Sequence, residues 1–147
     1  YEFYEEMFPG NGDKIFLEEY EDLKTYASNN EIKIFNLLET LRSSVYQEIE
    51  SKRQKDILKN ALDAEVSITL TKEKFELLEH LSPEIHKFFI SSNCELSLGK
   101  EEKIKVSKSE FDKCSRCWHR VELMKGSEHC SRCESNMNGE GETRSFF

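Results

Sequence analysis

The chain has 147 residues, of which 37% are hydrophobic and 34% are charged, and its formal net charge is −8. The length suits one modest domain, or one domain with a small appendage. No apolar run is long enough to span a bilayer and no signal-peptide pattern opens the chain, so the sequence predicts neither a membrane protein nor a secreted one. Because residue 1 is Tyr, we expect a piece of a longer protein.

The acidic charge lies in the first part of the chain. Residues 1–112 have a balance of −9, whereas residues 113–147 have a balance of +1. Residues 1–30 hold eight acidic side chains against two lysines, and we interpret them as a connector that lies on another surface. A chain with this distribution is not expected to bind polyanions non-specifically, because such binding needs many phosphate contacts.

Residues 31–110 have the pattern of a small α+β unit. Ser28 and Glu31 have capping-box spacing before a helix over about 31–53, and its predicted core face is Phe35, Leu38, Leu41, Val45 and Ile49. The stretch "AEVSITLT" alternates as a half-buried strand does. Thr71 is expected to cap a second helix, with Phe75, Leu78 and Leu81 on one face. Ser82-Pro83 predicts a further helical start, with a helical turn or a strand over Ile85–Ile90. "EKIKVSKSE" predicts a last strand with Ile104 and Val106 facing inward.

Residues 111–147 have too few apolar side chains to fold by burial alone. They hold four of the five cysteines, as Cys114-x2-Cys117 and Cys130-x2-Cys133. Two such pairs on facing turns place four sulfur atoms at tetrahedral corners, with Zn–S bonds of about 2.3 Å. The spacing therefore predicts one structural zinc ion that holds a ribbon over 111–147. Four protein ligands leave no open coordination position, so we predict no catalytic residue in the chain.

Other uses of these thiols remain open. Two disulfides are disfavoured because the odd cysteine count and the lack of a signal peptide indicate a reducing, cytoplasmic compartment. A thioredoxin-like redox pair needs one Cys-x-x-Cys beside a βαβ pattern. Iron bound by four thiolates also fits the spacing. His119 and His129 lie next to ligand cysteines and are alternative ligands. Cys94 is expected to be a lone half-buried side chain, and we assign no role to His80 or His86.

The last residues resemble the C-terminal zinc module of bacterial-type isoleucyl-tRNA synthetases. The resemblance is carried by Cys117-Trp118-His119, by Ser135-Asn136 after the second cysteine pair, and by the Gly-x-Gly-Glu-x-Arg-x-Phe ending from Gly139 to Phe146. It extends more weakly back to about residue 15. In "DILKNALDAEV", Lys59-Asn60 replace the Gly-Ser-containing turn that is usual in the family.

The resemblance implies a piece of an ATP-dependent class I synthetase whose catalytic and editing domains lie upstream. In such enzymes this region docks onto the anticodon end of an isoleucine-accepting tRNA, so that tRNA and the upstream domains are the implied partners. Residues 31–110 would be the anticodon-side unit. The segment "KVSKS" at 105–109 is similar to the phosphate-binding loop of these synthetases, but its alternation predicts a strand without an ATP role.

The module offers side chains that are suited to unpaired RNA, which proteins read by stacking and by contacts to base edges. The predicted RNA-binding residues are Arg116, Trp118, Arg120, Arg132 and Arg144. For Trp118, a structural role in covering the metal turn is the stronger alternative. Two other functions remain open for the chain: the zinc-ribbon DNA-binding tail of a DNA-repair glycosylase, and a zinc-ribbon scaffold for protein–protein contact.

Overall fold

The computed structural model describes residues 6–7, 9–10 and 27–146, so most of the predicted connector over 1–30 lies outside the described residues. The helices are α1 (Asn29–Gln54), α2 (Lys72–Leu78), α3 (Ile85–Phe89) and α4 (Ser131–Asn138). The strands are β1 (Ala64–Leu70), β2 (Asn93–Leu98) and β3 (Lys103–Lys108), with 3₁₀ turns at Ala61–Asp63 and Glu79–Leu81. These elements confirm the α+β class. None of the helices in the described ranges is both long enough and apolar enough to cross a membrane.

Helix α1 begins at the predicted capping box. The backbone N–H of Glu31 donates to Ser28 Oγ at 3.2 Å, and the N–H of Ser28 donates to Glu31 Oε2 at 2.6 Å. These two bonds satisfy donors that an uncapped helix start leaves without partners. The buried positions of the helix are Leu38, Leu41, Val45 and Ile49, one face at helical spacing. Phe35 was predicted to lie on this face but is exposed, and the neighbouring Ile34 packs against the core instead.

The sheet has the order β2-β1-β3, with β1 parallel to β2 and antiparallel to β3. A parallel pair needs a crossover connection, and α2 and α3 supply it. The register aligns Val66 with Cys94 and with Val106, so that one apolar row crosses all three strands. Ile68 aligns in the same way with Leu96 and Ile104. These rows form the face that belongs to the hydrophobic core, and the neighbouring positions put a polar face on the other side.

Two further details differ from the sequence predictions. Ser82 has helical dihedral angles and ends the 3₁₀ turn, and the next helix begins at Ile85 after Glu84. Ser82-Pro83 is therefore not a helix start; it belongs to the turn between two helical segments. The strand Asn93–Leu98 was not predicted, although Cys94, Leu96 and Leu98 alternate with polar residues as in a half-buried strand. Its place depends on parallel pairing with β1, which local alternation does not reveal.

Candidate metal centre

The four cysteines of residues 111–147 come together from two different local structures. Cys114 and Cys117 lie on a tight turn, in which the N–H of Trp118 donates to the carbonyl of Cys114 at 3.0 Å. Trp118 closes this turn with a left-handed φ of 65°. Cys130 is the N-cap of α4, and Cys133 lies in its first turn. The second pair therefore sits at the start of a helix. Two symmetrical pairs would instead both lie on tight turns like that of Cys114 and Cys117.

The geometry of the cluster fits a tetrahedral metal ion. The sulfur atoms of Cys114, Cys117, Cys130 and Cys133 all lie within 4.8 Å of one another. Sulfur atoms bound to one zinc ion at about 2.3 Å stand roughly 3.8 Å apart at tetrahedral angles. The distance from Cys117 Sγ to Cys130 Sγ is 3.8 Å. This separation is far too long for a disulfide, and all five cysteines are free. Four buried or half-buried thiols at this spacing form a donor set that could hold a metal ion.

Backbone N–H groups already favour thiolate at one of these sulfur atoms. Burial acts to raise the pKa of Cys114, but N–H groups of Cys117, Cys130 and Arg116 outweigh it and lower that pKa to about 6. The N–H of Cys130 lies 3.4 Å from Cys114 Sγ. Burial instead raises the pKa of Cys130 to about 12. A positive ion is therefore the natural partner that would keep all four sulfur atoms deprotonated.

The two histidines beside the cysteines stand outside the four-sulfur cluster. His119 Nδ1 lies 3.1 Å from the carbonyl oxygen of Cys117, and the His119 ring meets the ring of His86 edge-on. His129 Nδ1 lies 3.7 Å from a carboxylate oxygen of Glu134. Each imidazole thus has a neighbour other than the cluster.

An ion pair joins the cysteine module to the α+β unit. Arg120 Nε donates to Asp63 Oδ1 at 2.7 Å, and Arg120 Nη1 donates to the carbonyl of Phe111 at 3.1 Å. The backbone N–H of Arg120 also donates to Ser92 Oγ at 2.6 Å. Asp63 is 3% exposed and Ser92 is buried. We call these contacts the seam. Arg120, which was predicted to contact RNA, thus has a role within the chain.

The seam makes the fold sensitive to acid. Burial raises the pKa of Asp63, but Arg120 outweighs burial and holds that pKa below its ordinary 3.8. A lowered pKa stabilises the fold above the ordinary value, and this contribution is lost as the pH falls through the folded-state pKa. We expect the difference in unfolding free energy between the unaltered chain and Asp63→Asn to be constant from pH 7 to roughly pH 5 and to shrink below roughly pH 4. Urea unfolding across this range measures it, and a difference that grew toward acid would contradict the prediction.

The residues after α4 fold back onto the α+β unit. Ser135 Oγ donates to the carbonyl of Gly141 at 3.1 Å, and the N–H of Glu142 donates to Asn136 Oδ1 at 2.9 Å. Gly141 has a φ of 87°, a conformation that favours glycine. Further on, the N–H groups of Ser145 and Phe146 donate to the carboxylate of Glu84. The Ser-Asn and Gly-x-Gly motifs are therefore parts of one hydrogen-bonded turn.

The remaining predicted RNA-binding residues have different surroundings. Arg144 pairs with Glu142. Arg132 lies 3.7 Å from the same carboxylate group. Arg116 is exposed, and Trp118 is 59% exposed, with Lys113 Nζ 5.2 Å from the centre of its ring. Arg116 and Trp118 are thus both exposed residues of the first cysteine turn.

Cys94 lies outside the cluster. It is 4% exposed on β2, and burial raises the pKa of its thiol to about 12. Its environment is that of a small core side chain. "KVSKS", which follows the predicted strand pattern, lies in β3 except for its last residue, and Val106 is buried there.

Sequence reasoning missed two residues that position the module, Asp63 and Ser92. Both are polar, both are buried, and both contact Arg120 across the seam. A buried polar side chain needs a partner, but its pattern along the chain does not identify that partner. The available signal was an acidic residue immediately before a strand, which is too common to be diagnostic.

Fold and site together define the chain as an α+β unit joined to a four-cysteine module that could hold a metal ion. No family model matches it. It is 32% identical over 148 aligned residues to an isoleucine–tRNA ligase of Francisella tularensis subsp. novicida, and 33% identical to that of Francisella philomiragia. Each alignment covers 88% of this chain and 16% of the ligase. The resemblance to isoleucyl-tRNA synthetases is confirmed, and the chain spans about 16% of the length of the curated relatives it matches. These relatives give no support to the glycosylase or scaffold alternatives.

Proposed function

We propose that the chain is the C-terminal tRNA-binding part of an isoleucine–tRNA ligase. In this proposal it helps to dock the anticodon end of the tRNA, while upstream domains charge that tRNA with isoleucine in the cytoplasm at the expense of ATP. The similarity to ligases of this name over 88% of the chain carries the proposal. The chain itself supplies binding and not catalysis.

The metal has a structural role in this proposal. Cys114, Cys117, Cys130 and Cys133 would hold one zinc ion, and the ion would fix the first cysteine turn relative to α4. When bound, zinc supplies four strong bonds and no open coordination position. Zinc is preferred because four thiolates in tetrahedral arrangement are its usual structural set. The module over 111–147 then becomes a rigid support for the side chains that reach outward.

Trp118 is the best-placed residue for contact with RNA. It is 59% exposed, although a large aromatic ring gains from burial. Its backbone is fixed by a left-handed conformation between a metal-binding cysteine and His119. Lys113 adds positive charge beside the ring, and the exposed Arg116 adds another charge on the same turn. Such charges attract phosphate groups. This combination of a held aromatic face and nearby cations suits an unpaired base of an anticodon loop.

Contacts within the chain bear on the other residues that were predicted to bind RNA. Arg120 is committed to Asp63, and a change at Arg120 would damage the seam as well as any RNA contact. Arg144 shares the carboxylate of Glu142 but keeps an exposed side chain. We therefore propose Trp118 and Arg116 as the primary RNA contacts and Arg144 as a secondary one.

Replacement of Trp118 by Ala is expected to weaken binding of an isoleucine tRNA anticodon stem–loop by about 5- to 160-fold, since stacking of one base on an aromatic side chain contributes about 1–3 kcal/mol. Fluorescence anisotropy with a labelled stem–loop, at two salt concentrations, measures the change. Phe35→Ala is the matched control, because Phe35 is an equally exposed aromatic side chain (56%) on α1.

Two outcomes would contradict the proposal. Equal affinities for Trp118→Ala, Phe35→Ala and the unaltered chain would remove Trp118 from the interface. Equal binding of the unaltered chain to the stem–loop and to a random duplex of the same charge would remove the tRNA-docking function.

A further inference from the structure

A carboxylate at the start of α3 binds backbone groups that follow α4. Glu84 is the N-cap of α3, and its two carboxylate oxygens accept the N–H groups of Ser145 and Phe146 at 2.8 and 3.2 Å. The Glu84 side chain is only 12% exposed, and Lys87 Nζ lies 3.6 Å from one of its oxygens. Hydrogen bonds to a carboxylate are charge-assisted, and they are stronger where water is partly excluded. Glu84 therefore holds a segment that lies 61 positions further along the chain.

A contact between two rings lies beside these hydrogen bonds. The ring of Phe146 meets the ring of His80 edge-on, with 5.6 Å between the centroids and 76° between the planes. This arrangement is one of the two that aromatic pairs prefer. His80 belongs to the 3₁₀ turn Glu79–Leu81 of the α+β unit. Phe146 thus contacts the α+β unit through its side chain as well as through its backbone.

The backbone between α4 and Glu84 is also fixed. The N–H of Glu142 donates to Asn136 Oδ1 on α4 at 2.9 Å, and Arg144 Nε donates to Glu142 Oε1 at 2.7 Å. Helix α4 itself carries the buried Cys133 of the sulfur cluster. We call residues 142–146 the strap. A continuous set of contacts therefore runs from the helix that supplies Cys133, through the strap, to the start of α3.

The strap and the seam attach the cysteine module at different places. The seam joins Arg120, which follows the first cysteine turn, to Asp63 and Ser92. The strap follows α4, which carries the second cysteine pair, and ends on Glu84. A rigid body that is attached at one place can pivot about that place, whereas a second attachment restricts the rotation.

We propose that the strap fixes the orientation of the cysteine module on the α+β unit, with Glu84 and Phe146 as the positioning residues. A module that is already oriented loses less conformational entropy when the exposed ring of Trp118 contacts RNA. The effect on RNA binding rests on the proposed function, whereas the effect on orientation does not.

Glu84→Gln in the intact 147-residue chain, with zinc added, tests the inference. The change removes the negative charge and one of the two acceptor oxygens, so amide exchange at Ser145 and Phe146 is expected to accelerate about 10- to 100-fold. Residual dipolar couplings of residues 113–138 are expected to shrink relative to those of the sheet, because the module then samples several orientations. Affinity for the anticodon stem–loop is expected to fall about 2- to 10-fold. Glu79→Gln is the matched control, because Glu79 is an exposed glutamate of the neighbouring 3₁₀ turn.

Two outcomes would overturn the role of the strap. The first is that amide exchange and dipolar couplings are equal in Glu84→Gln, Glu79→Gln and the unaltered chain. The second is that exchange accelerates while the couplings of the module stay unchanged, because the hydrogen bonds would then not set its orientation. If Glu84→Gln does not fold, Phe146→Ala takes its place, with the exposed Phe35→Ala as its control. Couplings in Phe146→Ala equal to those of the unaltered chain would contradict the inference.

The stem–loop measurement separates the strap from the proposed function. If the unaltered chain does not bind the stem–loop but the couplings shrink in Glu84→Gln, the proposed function fails and the effect of the strap on orientation is upheld. If the couplings shrink and Glu84→Gln binds the stem–loop as tightly as the unaltered chain does, the strap does not position the module for RNA and that part of the inference is wrong.

Discussion

Removal of the metal is expected to unfold residues 111–147 and to leave α1 and the three-stranded sheet folded. Among the described residues, the buried cluster of the module consists of Cys114, Cys130 and Cys133, with Cys117, Val121 and Leu123 packed against it. That cluster contributes little apolar burial, whereas zinc binding to small four-ligand modules contributes about 10–16 kcal/mol. The α+β unit has its own core of aliphatic and aromatic side chains, so it is expected to stay folded, although less stable because the seam to the module is lost.

The measurement is a chelator titration followed by two signals. Amide resonances of residues 111–146 are expected to collapse to unfolded positions. Helical circular dichroism is expected to fall by a small fraction, because α4 has eight residues and α1 has 26. Cys117→Ala should reproduce the effect without chelator. Cys94→Ala is the matched control, because Cys94 is a buried cysteine outside the cluster. Loss of all helical signal at one chelator concentration would instead show that the two parts form one cooperative core.

Replacement of Asp63 by Ala is expected to destabilise the chain by about 3–5 kcal/mol, because it leaves the guanidinium of Arg120 partly buried without its partner. The side chains of Asp63 and Arg120 are 5% and 25% exposed, and their ion pair is 2.7 Å long. The carboxylate also accepts a hydrogen bond from the N–H of Asn60 at 3.3 Å. One substitution thus removes bonds on both sides of the seam.

Urea unfolding of the metal-loaded chain measures this loss. Glu50→Ala is the control, because Glu50 and Arg53 form a pair of similar length on the exposed side of α1. Exposed pairs contribute about 0–1 kcal/mol. The double variant Asp63→Ala with Arg120→Met should recover part of the loss, since it removes the unpaired charge as well. Equal effects of Asp63→Ala and Glu50→Ala would show that the seam does not contribute to stability.

A stable seam is also expected to favour RNA binding, because it fixes the cysteine module relative to the α+β unit. Arg120 forms the bridge to Asp63, and Arg116 and Trp118 lie on the cysteine turn just before it. If the module rotated relative to the α+β unit, the exposed ring of Trp118 would change position relative to the rest of the chain. A fixed seam therefore reduces the entropy that the proposed RNA contact would cost.

Several helices and strands of this protein, and its cysteine cluster, could be predicted from local sequence patterns alone. The capping box of Ser28 and Glu31, the helical spacing of Leu38 to Ile49 and the alternation of β1 each act within a few residues of the chain. The proximity of the four cysteines was also predictable, because Cys-x-x-Cys pairs bring their sulfur atoms together through a single turn and 12 residues suffice for the return. The capacity of the four thiols to bind a metal ion follows from the spacing of these cysteines in the sequence.

The pairing of distant strands and the partners of the arginines were decided only by the tertiary structure. Pairing of β2 with β1 joins residues almost 30 positions apart, and the link of Arg120 to Asp63 joins residues 57 positions apart. Such contacts depend on which surfaces meet after collapse, and no local period encodes them. The roles of the arginines were decided in the same way: Arg116, Arg120, Arg132 and Arg144 carry the same charge in sequence. Arg120 pairs with the buried Asp63, whereas Arg132 and Arg144 lie beside the carboxylate of Glu142. Arg116 stays in solvent. A guanidinium takes its function from the partner that folding places beside it.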